Sequence, residues 1–361
     1  MTGIFTRGTI TRRSALRAGA ASVAATFGTV AVVPRVLAQE TTPAAEVNRD
    51  GLSEEIVEAF TVLPGQKGLR LWAPPDAGRP EWSAALNPDD RLFIASVFKG
   101  FVLAECLRRE EDALDPRGTT PLAGQLAARL GQQLTLDESV FTLGSPVFNP
   151  PNLTGQVTLR TALEAMITHS DNTATDMVLQ HVGPERVRAF IDGIGPRQSE
   201  IPTSTRQFFG YVAGVPDWRA TTWAELQGED APGATRPILN DTITMASTAS
   251  EMVAFYARAL PGECFQYAET LSEFRNILAM GDVLITMPLG VNGFGKGGSI
   301  DFDGSHVLNL AGGLYVPDRW VYFALLLNWT DAEGGTSAEV RGPAIAAART
   351  IFTLVRDRLR P

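Results

Sequence analysis

Beyond residue 50, the spacing of apolar and polar positions divides the chain into an ordered series of elements. Ser53 stands as a helix N-cap for Glu54–Phe60, with acids in the first turn, where a helix dipole favours them. Leu69–Ala73 alternates with a strand's period of two, and Pro74 and Pro75 stop it. From Pro88 the period becomes helical, and Val97, Phe98, Phe101, Val102 and Leu103 give a broad apolar face that continues to Arg109. The middle is mainly helical: Leu159–Thr168, Thr173–His181, and a third helix opened by Pro184 and closed at Gly193. Gly195–Leu239 is rich in Gly and Pro and has little periodicity, the mark of a functional or mobile loop. A helix returns over Ser247–Leu260. Val291–Ser299, Val307–Tyr315 and Trp320–Asn328 then read as strands, with turns at Asp301–Gly304 and Pro317–Arg319, before a last helix over about Ser337–Arg358.

Strands near both ends with helices between them predict an α/β fold of the α+β sandwich type. An antiparallel sheet of about five strands is formed from both termini and flanked by helices, with an all-helical subdomain inserted. No internal repeat is visible.

The first residues change the picture of where the chain works. Positions 1–38 carry Arg7, Arg12, Arg13, Arg17 and Arg35 and no acid, with a mildly apolar stretch from Ala18 to Val33 and small residues up to Ala38. That is a secretory signal, and the paired Arg12-Arg13 specify twin-arginine export to the periplasm or another extracytoplasmic space. The apolar stretch is too short and too weakly apolar to span a membrane, so no stable span is expected after cleavage. Residues 39–51 read as a linker, and the length of 52–361 suits one large domain or two modest ones. Five positive charges leave with the signal, so the net charge of −9 becomes −14. Such an acidic domain repels nucleic acid. Cys106 and Cys264 are too few for a disulfide scaffold and read as a pair or as two buried thiols.

Lysine usage points to chemistry. Among 31 basic residues, only Lys67, Lys99 and Lys296 are lysines. Arginine stays protonated, whereas a desolvated lysine, or one beside another cation, gives up its proton. Ser96-Val97-Phe98-Lys99 places a hydroxyl and an amine one turn apart on one helical face, so a neutral Lys99 can take the Ser96 proton. The helix start also supplies backbone donors for a developing oxyanion. Ser-x-x-Lys alone is a weak signal, since a surface lysine near a capping serine looks the same. Two further segments strengthen it: Ser170-Asp171-Asn172, between two helices, and Lys296-Gly297-Gly298-Ser299, at a strand end.

With these three segments in this order, the chain resembles the class A β-lactamases and the wider penicillin-binding serine hydrolases, which carry Ser-x-x-Lys, Ser-Asp-Asn and Lys-Thr-Gly. Arg91–Ser96, Ser170–Ala174 and Asn240–Thr244 extend the likeness, which runs from about residue 52 to the end. It implies a β-lactamase/transpeptidase-like fold and a metal-independent, cofactor-free hydrolase acting as a monomer on a small molecule, a β-lactam or a peptidoglycan-stem-like peptide. It implies that Ser96 is acylated with Lys99 as base, that Ser170 relays a proton under the field of Lys296, and that Asn172 holds the substrate amide. The backbone N–H groups of Ser96 and Ser299 become the oxyanion hole, and Gly298 and Ser299 line the substrate. Asp171 is expected to be a structural cap. The three histidines have no spacing for zinc.

The departures leave alternatives open. Gly297 stands where the family commonly has Thr or Ser, and Gly144 where it presents an aromatic. The Glu-x-x-Leu-Asn segment is missing, which makes Glu225 the candidate deacylating base, with Glu200, Glu229 and Asp230 behind it; His306 is a candidate cation near a substrate carboxylate. β-Lactam hydrolysis is the first expectation. A D-Ala-D-Ala peptidase or other amidase or esterase with slow deacylation is the second, and a non-catalytic penicillin-binding or sensor domain the third.

Overall fold

The computed structural model describes residues 51–76, 78–227, 234–316 and 318–359; the expected signal, and the expected linker up to residue 50, lie outside them. Helix α1 (Gly51–Thr61) leads into strands β1 (Gln66–Ala73), β2 (Trp82–Leu86) and the short β3 (Leu92–Phe93). A 3-10 turn over Ala95–Phe98 runs into α2 (Lys99–Glu111), followed by α3 (Leu122–Leu130), β4 (Gln133–Leu136) and β5 (Gly155–Thr158). Next come α4 (Leu159–Thr168), α5 (Asn172–Val182), α6 (Pro184–Ile194), α7 (Thr205–Val212) and α8 (Trp223–Gln227). Strand β6 (Ala246–Ser247), α9 (Ala249–Ala259), α10 (Ala268–Leu278) and a 3-10 turn at Asp282–Thr286 precede β7 (Asn292–Phe302), β8 (Ser305–Val316) and β9 (Arg319–Thr330). The chain closes with α11 (Asp331–Gly334) and α12 (Ser337–Arg358).

The main sheet is antiparallel, in the order β2-β1-β9-β8-β7, so both ends of the chain build it, as expected. β9 shows why it holds together. Val321, Phe323, Leu325 and Leu327 enter one apolar core with α1 and α12, while Tyr322, Ala324 and Leu326 enter the other with the helical body. Alternation by two feeds both faces of the strand, which explains its almost continuous apolar sequence. On α12, Ile351, Phe352 and Val355 are fully buried, each adding roughly 1.5–3 kcal/mol of burial.

Three expectations are corrected. Ser53 lies inside α1 and donates its hydroxyl to Ser83 O at 2.9 Å, tying the helix to β2 instead of capping it. The helix expected from Pro88 starts only at Ala95: Leu92 and Phe93 pair with β6, because a short apolar run suits a strand as well as a helix. The loop between 195 and 239 contains α7, whose N-cap Ser204 accepts from Gln207 N at 2.9 Å, and α8.

Candidate active site

The chain enters the Ser96 turn from a clamped strand. Leu92 and Phe93 are paired with Ser247 and Ala246, and Ile94 N donates to Met245 O at 2.8 Å. Ala95 then takes φ +47°, and the helical turn begins with Ser96 close behind it. Among the described residues, Asn87, Asp303 and Asp318 also have positive φ, as turn Asn and Asp often do. The other two non-glycine cases are Ala95 and Ser170, at φ +56°. Backbone strain therefore sits beside two candidate hydroxyls, where packing must hold it.

Ser96 and Lys99 are three residues apart across a 3-10 turn, a geometry that stacks i over i+3. Ser96 is half-buried and Lys99 is fully buried. Lys99 Nζ donates to Ser170 O at 2.6 Å and to Asn172 Oδ1 at 2.7 Å, and it lies 3.3 Å from Ser170 Oγ. Burial, then the nearby charge of Lys296, depresses the amine well below its ordinary value, against the pull of Asp171, Asp176 and Asp282.

Asp171 is the cap that the sequence predicts. Its Oδ1 accepts from Ala174 N at 2.8 Å, opening α5, and its Oδ2 accepts from Val147 N and Phe148 N at 2.9 and 2.8 Å. One buried carboxylate thus joins the Ser170 loop to the 143–148 loop. Asn172 adds a second tie, donating through Nδ2 to Leu143 O at 2.8 Å. Gly144, at φ +75°, packs on that amide: a Cβ there would lie 2.7 Å from Asn172 Nδ2, so an aromatic cannot occupy this backbone.

β7 forms the other side. Lys296, also fully buried, donates to Asp282 Oδ2 at 3.1 Å and to Gly297 O at 2.7 Å. Gly297 N donates to Asp282 Oδ1 at 2.6 Å. A Cβ on Gly298 would fall 2.4 Å from Ile94 O and 2.9 Å from Ser96 N, so only glycine lets this strand lie against the backbone of the Ser96 turn. Ser299 follows, exposed.

Ser96, Lys99, Ser170, Asn172, Lys296 and Gly298 therefore converge through these contacts. The remaining candidates do not join them by any described hydrogen bond. Glu225 is exposed and accepts from Thr222 N and Oγ1 at 2.7 and 2.9 Å, a capping box at the start of α8 that lowers its pKa. Its described partners are those of a cap, and none of them belongs to the Ser96, Lys99 and Ser170 cluster. Glu200 pairs with Arg91 at 2.7 Å, and Glu229 and Asp230 lie outside the described residues. His306 is buried at the β7–β8 turn, 3.0 Å from Asp301 and 2.8 Å from Asp331. His169 is exposed at the end of α4, and His181 bonds Glu110 at 2.8 Å. Both cysteines are free, and burial raises both thiols, Cys264 to about 11.

Two carboxylates at the site were not singled out by the sequence. Asp176 accepts from Thr205 N and Arg206 N at 2.6 and 2.9 Å, and burial pushes it up to about 7 despite those bonds. Asp282 was signalled only indirectly, by the missing side chain at Gly297.

Comparison with known proteins bears on the fold and the family. A curated β-lactamase of Amycolatopsis lactamdurans is 31% identical over 142 residues, 39% of this chain, and the match spans only 41% of that protein's length. Solved structures share the fold: a class A β-lactamase from Mycobacterium abscessus (TM-score 0.59, 17% identity, 84% of this chain and 98% of that one) and a β-lactamase from Chitinophaga pinensis (0.63, 16%, 86% and 100%). A single-site mutant of PBP-A, solved as an acyl-enzyme complex with penicillin G, aligns with a TM-score of 0.58 at 14% identity over 85% of this chain and 97% of its own. A family model described as the β-lactamase enzyme family matches residues 75–282, more than half of the chain and the stretch that brings Ser96, Lys99 and Ser170 together, and the chain belongs to that family.

Proposed function

We propose that this chain is an exported serine hydrolase, acylated on Ser96, that opens the amide of β-lactams. The observation that carries the reading is the amine of Lys99. A neutral amine has two N–H bonds and one lone pair; the two short bonds, to Ser170 O and Asn172 Oδ1, use both N–H groups. The lone pair is then left for a hydroxyl proton. Ser96 Oγ loses its proton to Lys99 as it attacks the carbonyl carbon, and the oxyanion is met by the N–H groups of Ser96 and Ser299. The C–N bond breaks, the proton returns to the leaving nitrogen through Ser170, and water then releases the acyl group. Asn172 keeps one N–H and one lone pair for the substrate's amide. The Arg12-Arg13 signal supports export to the compartment where such substrates arrive.

A second reading is a D-Ala-D-Ala peptidase, or another amidase or esterase, that releases β-lactams slowly. One observation favours it: Asp171 and Asp176 are committed to backbone N–H groups and Glu225 to its capping box, so none of these three carboxylates is held ready to activate water.

Intact-mass spectrometry with benzylpenicillin, beside turnover of a chromogenic cephalosporin, tests both. Rapid turnover with unmodified protein recovered supports the first reading, and a persistent adduct supports the second. Ser96→Ala must abolish adduct and turnover; a variant that retains either sinks the assignment.

A further inference from the structure

We infer that Asp282 sets the substrate class of this site by acting as an internal counter-ion to Lys296, so that Ser96 is acylated preferentially by substrates presenting an uncharged or hydrogen-bond-donating group beside β7. The inference deepens the proposed function and rests on acylation of Ser96. The carboxylate is seated on the strand at two points, Lys296 Nζ at 3.1 Å and Gly297 N at 2.6 Å. Gly297 is the complement of that seat: a Cβ there would lie 2.7–2.9 Å from the carbon and both oxygens of the Asp282 carboxylate. The space of a hydroxyl-bearing side chain is thus filled by an acid from 15 residues upstream.

Two consequences follow from charge. Lys296 is fully buried and its ammonium already has a carboxylate partner, so a substrate anion gains little from it. Asp282 is itself 41% exposed, so an incoming group meets a carboxylate where an unpaired lysine would have offered a cation. A carboxylate brought next to it pays like-charge repulsion in a partly desolvated place, whereas an amide N–H or an ammonium gains a strong acceptor. A cavity of about 90 Å³ adjoins the seat on its α12 side, lined by Asp282, Gly297 and Ser299 and by Phe60, Ala344 and Arg341. The charge of Asp282 is also felt at Lys99, which places it within electrostatic range of the reacting groups.

The test compares benzylpenicillin with its methyl ester, which differ by one carboxylate, and reads the acylation rate of Ser96 by intact mass. Wild-type protein should favour the ester. Asp282→Asn keeps an oxygen for Gly297 N but removes the charge; it should raise the ratio of the acid's rate to the ester's roughly tenfold or more. Gly297→Ser alone should slow both reagents, and Gly297→Ser with Asp282→Ala should recover the acid, which guards against a variant that merely folds poorly. A ratio unchanged by Asp282→Asn, while a fluorophosphonate still labels Ser96, overturns this inference alone. So does a wild-type preference for the acid that Arg341→Gln removes, since carboxylate recognition would then belong to α12. If neither penicillin nor the fluorophosphonate modifies Ser96, the acylation reading falls and this inference with it.

Discussion

Lys99 is where sequence, burial and chemistry meet most directly. A fully buried ammonium would need a counter-ion, yet its described partners are a carbonyl, an amide oxygen and a hydroxyl. Burial and Lys296 both favour the neutral form, against the pull of Asp171, Asp176 and Asp282, so the amine gives up its proton more readily than a free lysine does. Acylation of Ser96 should therefore rise with pH to a plateau, with its midpoint well below the 10.5 of a free lysine. Lys99→Met should cost about 10²–10⁴-fold in acylation while circular dichroism stays native. A midpoint near 10.5, or wild-type acylation in the methionine variant, would refute the base. At this scale the motifs were readable because each is a short local run: Ser96 with Lys99, Ser170 with Asp171 and Asn172, and Lys296 with Gly297, Gly298 and Ser299. Asp282 was not, since its bonds to Lys296 and Gly297 span 14 and 15 residues and only the fold creates them. The positive φ of Ala95 was equally invisible, because alanine carries no signal for that conformation.

At the scale of elements, the site depends on how closely β7 can approach the Ser96 turn. Gly298→Ala puts a methyl 2.4 Å from the Ile94 carbonyl, which is backbone and cannot swing aside. We expect a loss of about 1–3 kcal/mol, read as a lower Tm, with acylation slowed because the turn is displaced. An unchanged Tm would mean that the strand does not press on the turn. A second element contact titrates. Asp176, raised to about 7 mainly by burial, caps the start of α7. Between pH about 4 and 7 the unfolded chain has lost this proton while the folded chain keeps it, so the residue's contribution to stability falls as pH rises through that window and is level above it. The Tm of wild type minus that of Asp176→Asn should decline over the same window; a flat difference would remove Asp176 from the account. α4 and α12 were readable to the residue because caps and long periods mark them: Thr158 caps α4, and Thr336 with Glu339 forms a capping box for α12. β3 was misread because a short apolar run does not distinguish a strand from a helix.

Across the whole domain, β9 decides how stability and site are linked. Its alternate residues belong to two apolar cores, one holding α1 and α12, the other holding the Ser96 turn, Phe101 and the helical body. The sheet that carries Lys296 is therefore braced from both faces, with the Ser96 turn packed in only one of the two cores. Phe352, fully buried on α12 and 4.7 Å from Phe323 between ring centroids, lies deep in that remote core. Phe352→Ala should cost about 3–5 kcal/mol. If the shared strand couples the cores, this variant should lose circular dichroism and Ser96 acylation in one transition at a lower temperature than wild type, with acylation near normal well below it. Acylation that outlasts the loss of helix signal would instead make the helical body an independent unit. The sequence could place strands at both ends of such a sheet, because their period is local. The shared burial that joins the two cores comes from chain ends about 250 residues apart, as in the pairing of Gln66 with Asn328, and appears only once the chain is folded.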